Sequence, residues 1–169
     1  MLDPEEIVST YNKIITQIKQ FNHNLNIIFT ISPVRHLRDG FVENNRSKSV
    51  LIHAVDKLTR QQEHLHYFPS YELVIDDLRD YRFYAEDMVH PNYLATRYVW
   101  EKFCAAAING RSREVMKELD QLNMAFQHKP LHPDSVEHRK FRIKYKDITQ
   151  SLATRFPSID FSKEINHFS

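Results

Sequence analysis

Asp87 and His90 stand three residues apart in the stretch Tyr81-Arg-Phe-Tyr-Ala-Glu-Asp-Met-Val-His-Pro-Asn92. An imidazole that takes a proton from a hydroxyl must turn one ring nitrogen outward. Its other nitrogen donates to a carboxylate, which fixes the tautomer, orients the ring and stabilises the imidazolium. Three residues of loop allow that reach, and Pro91 stiffens the backbone just beyond the histidine. The spacing therefore fits a general base with its orienting acid. Such a pair needs a nucleophile to serve, and neither serine considered for that role suits it. Ser32 is followed by Pro33, which lacks the backbone N–H that often steadies an oxyanion. Ser70 follows Pro69 with no glycine-rich turn, so neither serine has the sharp exposed turn a nucleophile requires.

Other chemistry-bearing residues are weaker. Arg35 and His36, with Arg38 and Asp39, follow a short apolar run and make a charged rim. In a pocket, Arg35 would hold an anionic or polar group. The ten histidines contain no H-E-x-x-H pair, and the single cysteine, Cys104, cannot anchor a structural zinc, so no metal is expected. With only Gly40 and Gly110, the chain cannot build a glycine-rich phosphate loop, and no cofactor is expected. Tyr81, Phe83 and Tyr84 beside Arg79 and Arg82 read as packing and pocket lining. A formal net charge of +1 gives no basic stripe for nucleic acid.

The elements that must carry these residues can be read from pattern. Asp3-Pro4-Glu5-Glu6 opens a helix with a capping box, and Ile7, Tyr11, Ile14, Ile15, Ile18 and Phe21 give it one apolar face. Leu25 to Ile31 is an apolar run without alternation, which predicts a strand buried on both faces, as in a parallel sheet. A polar loop is expected over Val34–Asn45. A helix is then expected from Ser47 to His64, with Leu51, Ala54, Val55 and Leu58 inward. A weak strand follows at His66–Phe68, then a short helix at Tyr71–Leu78. The Asp87–His90 loop comes next, and then a helix from Asn92 that Gly110 caps. Beyond it, Val115, Leu119, Leu122 and Phe126 mark one helix. Phe141, Tyr145, Ile148 and Leu152 mark another, opened by Asp134. The two predict an antiparallel pair packed on the domain.

The fold class is therefore α/β. It is a helix-rich, partial doubly wound parallel sheet of few strands with a C-terminal helical pair. Residues 1–110 form the main unit and 111–169 a helical extension. The 169 residues suit one domain of ordinary size, and no apolar run reaches the length of a bilayer span, so no membrane is expected. One cysteine and a polar N-terminus point to the cytoplasm.

The longer motifs resemble the GSCFA family, within the wider SGNH hydrolase group. They are Thr30-Ile-Ser-Pro-Val-Arg-His-Leu-Arg-Asp-Gly40, Tyr67-Phe-Pro-Ser-Tyr-Glu72 and the stretch Asp76–Asn92. The resemblance continues through Glu43-Asn44, Ser47-Lys48, Trp100, Gln127-His128, Pro130, His132-Pro-Asp-Ser135 and Phe156-Pro157, so it spans essentially the whole chain. It implies a flavodoxin-like sheet and hydrolysis of an ester, small or on a carbohydrate. His90 would be base and then acid, and Asp87 its orienting partner. Arg35, His36 and Asn44 would be substrate-binding residues. The family's Gly-Ser-Cys-Phe-Ala block, with its nucleophilic serine, is not among these residues. Neither are the glycine and asparagine blocks of the oxyanion hole, nor the first strands of the sheet. The expectation is the C-terminal portion of such a hydrolase, inactive alone and prone to self-associate through an open sheet edge. The rival is a non-catalytic binding module on a degenerate hydrolase fold.

Overall fold

The computed structural model describes residues 2–169 and divides into two compact units, Met1–Ala107 and Ile108–Ser169. The first unit holds α1 (Pro4–Phe21), β1 (Ile27–Thr30), α2 (Gly40–Gln61), β2 (Leu65–Phe68), the short α3 (Ser70–Glu72) and α4 (Tyr93–Ala107). The second holds α5 (Gly110–Gln127), α6 (Val136–Arg155) and α7 (Ser162–Phe168). No helix among the described residues is long and apolar enough to cross a membrane.

Local chemistry explains the start of α1. The Asp3 side chain accepts the Glu5 N–H at 2.7 Å, while Glu6 reaches back to the Asp3 N–H at 3.0 Å, the reciprocal capping box. Val8 and Ile15 of this helix meet Ala54 and Leu58 of α2 and Leu65 of β2, and together these five residues form the core of the unit. Ile27 and Phe29 of β1 pack against that core.

β1 and β2 pair in parallel, Ile27 opposite Leu65 and Thr30 opposite Phe68, in a two-stranded sheet. Because side chains alternate along a strand, Ile27, Phe29 and Leu65 face α1 and α2. Phe68 points the other way, into an edge-on contact with Phe103 of α4 at 5.1 Å. Helices thus lie on both faces of the sheet, which makes the unit helix-rich α/β. β1 corrects the expectation of a strand buried on both faces: Ile28 is 43% exposed, and Thr30 is exposed too. α4 covers the β2 side of that face, while Ile28 and Thr30 on the β1 side stay exposed.

Other boundaries differ from the sequence reading. α2 starts at Gly40 rather than Ser47, so half of the expected polar loop is helical and Asn44 lies buried inside it. Gly110 does not cap α4; it is the first residue of α5, whose N-cap is Asn109, accepting the Ser112 N–H at 2.8 Å. Ser135, not Asp134, caps α6, accepting from the His138 N–H at 3.1 Å. α7 was not expected at all.

In the second unit, Glu118 bridges Arg155 at one end of the α5–α6 pair, and His128 meets Phe141 at the other, so the two run antiparallel. Leu122, Ala125 and Leu152 form the core with Phe161 and Phe168, the residues that the C-terminal segment folds back.

Candidate active site

Asp87 lies in the loop between α3 and α4, a segment held at both ends. Tyr84 and Pro91 form an antiparallel bridge, with the Ala85 N–H on the His90 carbonyl at 2.8 Å. Asn92 closes the loop and starts α4 at once. Its backbone N–H donates to the Phe83 carbonyl at 2.8 Å, its side-chain amide to the Arg82 carbonyl at 2.6 Å, and its side-chain oxygen accepts the Ala95 N–H at 3.2 Å.

Inside this frame, one Asp87 oxygen accepts two backbone N–H groups, Val89 at 2.9 Å and His90 at 3.0 Å. That turn aims the second oxygen at the ring, and His90 Nδ1 lies 2.6 Å from Asp87 Oδ2. The distance falls within the reach expected from the three-residue spacing. An ionised carboxylate can only accept, so Nδ1 carries the proton and Nε2 is left to act on something else. The backbone N–H of His90, the His90 ring and the Val89 N–H together hold the Asp87 carboxyl down at about 2. The acid is therefore ionised at any neutral pH. Met88, at the tip, takes a left-handed backbone with φ of 59°. The pair is open to water, with side-chain exposures of 49% for Asp87 and 61% for His90.

His90 borders a hollow of about 330 Å³ with Pro33, Val34, Ser70, Pro91, Thr96 and Val99. Pro33 and Val34 follow β1, and Ser70 follows β2, so this hollow sits at the C-terminal ends of the parallel strands, where open α/β sheets take ligands. Its lining is mostly apolar. Sequence reading did not single out Val34, Thr96 or Val99. The only signal was the spacing of Thr96 and Val99 on the first turns of the helix that the dyad loop feeds.

The serines are engaged in structure. Ser70 is buried, donates to the Ile31 carbonyl at 2.8 Å and meets the Thr30 hydroxyl, which ties the strand ends together. Ser32 Oγ accepts the Val34 N–H at 3.2 Å. Neither is hydrogen-bonded to His90.

The three expected substrate residues are placed differently from one another. Arg35 donates from its guanidinium to the Met88 carbonyl at 2.9 Å, and from its backbone to the Val89 carbonyl at 3.3 Å. Its guanidinium also stacks over the Tyr84 ring at 4.3 Å. Arg35 is thus the strap that fixes the dyad loop to the loop after β1, and it does not border the hollow beside His90. Asn44 is buried and accepts the His36 N–H at 2.8 Å, pinning the β1–α2 loop from within α2. The His36 ring is exposed, its Nε2 3.7 Å from Asp39. Among the described residues, no three or more His, Cys, Asp or Glu side chains converge as a metal set.

A family model described as GSCFA family matches residues 1–103, and one described as GSCFA domain protein, C-terminal domain, matches residues 119–169. No curated protein and no solved structure matches the chain. The matched segments contain the dyad loop, the strap from Arg35 and the helices α6 and α7, and the chain belongs to the GSCFA family.

Proposed function

We propose that this chain supplies the acid–base half of an SGNH-like serine hydrolase acting on an ester, either a small molecule or an acyl group on a carbohydrate. The observation that carries this reading is the 2.6 Å contact between Asp87 and His90, with the ring bordering an apolar hollow at the strand ends. His90 Nε2 takes the proton of a serine hydroxyl as that oxygen attacks the acyl carbon, and returns it to the leaving alcohol. Asp87 stays ionised and stabilises the imidazolium. The serine comes from outside these residues: Ser70 is buried and tied into the strand ends, and Ser32, whose Oγ accepts the Val34 N–H, makes no hydrogen bond to His90. The hollow lined by Pro33, Val34, Pro91 and Val99 takes the apolar part of the substrate. Arg35 and Asn44 act as positioning residues, and His36 is an exposed rim residue open to a polar substrate group. A dyad this open to water works in a site that another segment closes.

The test is hydrolysis of aryl and sugar acyl esters by the complete polypeptide, with His90→Ala and Asp87→Asn alongside. Each substitution should lower kcat by roughly 10³–10⁴-fold. Turnover that survives His90→Ala at full rate would overturn the reading. The 169-residue chain alone should give no turnover above its own His90→Ala control. A second reading, a binding module without catalysis, is favoured by one observation: α1 exposes an apolar stripe, with Tyr11, Ile14 and Ile18 each above 40% and Phe21 at 98%. Turnover that depends on His90 would dismiss it.

A further inference from the structure

A second hollow, of about 190 Å³, lies beside the dyad loop and shares no lining residue with the one His90 borders. Two arginines line it, Arg35 and Arg79. The only hydrogen bond from the Arg35 guanidinium among the described residues goes to the Met88 carbonyl, and a guanidinium carries five donors. The Tyr84 ring, on the same lining, supports the Arg35 guanidinium at 4.3 Å.

Arg79 adds an independent sign. It ends a π-helical turn (Leu73–Leu78) in a left-handed backbone, with φ of 34°. Glycine or asparagine adopts that conformation at lower steric cost. The ion pair of Arg79 is with exposed Asp76 at 3.5 Å, and exposed pairs return little stability. Neither the turn nor the pair accounts for an arginine at this position. The one acid on the lining, Asp80, is turned to Arg82, accepting its backbone N–H at 2.9 Å.

The geometry points to a binding site for a small carboxylate with a short aliphatic tail. The carboxylate oxygens accept from the Arg35 and Arg79 guanidiniums, and the tail lies on Ile75 and the Tyr81 ring. A planar two-oxygen anion fits the guanidinium fork better than a spherical one. The site shares Arg35, the strap of the dyad loop, with the hydrolase reading but contains neither Asp87 nor His90, so binding can be tested apart from turnover.

Amide and arginine side-chain resonances of the full chain, followed by NMR, test this. Butyrate is added at constant ionic strength, with butyramide as the neutral arm and chloride as the salt arm. Saturable shifts at Arg35 Nε–H, Arg79 and Val89 are expected with butyrate alone. Arg79→Gly relieves the backbone strain, so it should fold at least as stably as the parent. It should also bind butyrate about tenfold more weakly, the scale of one charge-assisted hydrogen bond. Non-saturable shifts, equal shifts with butyramide or chloride, or unchanged affinity in a well-folded Arg79→Gly would each overturn the site.

Discussion

The two units of the chain bury apolar surface by different means. Ile108–Ser169 closes on itself: Phe141, Tyr145 and Phe168 stack within 6.2 Å of one another, and Leu152 is wholly enclosed. Met1–Ala107 builds a sheet of two strands, and leaves Ile28 and the stripe from Tyr11 to Phe21 on its surface. A small helical unit needs only helix-on-helix contact to complete a core. A sheet needs neighbours along its edges and layers on both faces, and two strands supply few of either. The dyad sits in the open unit, at the sheet end that parallel strands keep for ligands.

The contrast can be broken most sharply in the cores. Leu58 and Leu152 are both fully buried, and replacing either by alanine should cost about 2–5 kcal/mol. Leu152→Ala should lie at the upper end, because rings around the gap cannot relax into it, and Leu58→Ala at the lower end, where an open sheet can settle. Denaturant unfolding of the two variants measures this. The reverse order would mean that the first unit is the more rigid.

A smaller effect is expected at the open face. The unpaired edge of β1 and the stripe on α1 predict self-association of the chain. Ile18→Lys together with Phe21→Ser should reduce it by sedimentation without lowering the unfolding midpoint, since both side chains are exposed. Well-behaved monomer in the unmodified chain at high concentration would remove the contrast, and the open face would count as ordinary surface.

The smallest effect is electrostatic. Asp87 is held at about 2, below the ordinary 3.8, so its contribution to stability is complete above about 4 and is lost as the pH falls toward 2. Asp87→Asn should remove that part of the acid dependence and nothing above it. Carbon-13 titration of the carboxyl follows the same change directly, and an ordinary midpoint near 3.8 would show that the turn does not hold in solution.

What the sequence determined by itself is what short-range chemistry determines. The Asp3–Glu6 capping box, the start of α4 at Asn92, the two short apolar strand segments and the Asp87–His90 contact depend on partners within three or four residues of each other, or on runs of one residue type. The family motifs added the identity of the loop, because they lie around the same residues. Tertiary structure alone decided the rest. It made Arg35 a strap, since the carbonyls of Met88 and Val89 lie more than fifty positions away and nothing in the local pattern names them. It drew Gly40 to Asn45 into a helix, because Asn44 gains a buried hydrogen bond to His36 there. It also chose which apolar faces are covered. Periodicity marks a face as able to be buried, but burial needs a partner surface, and along α1 and β1 the chain offers one on a single side only.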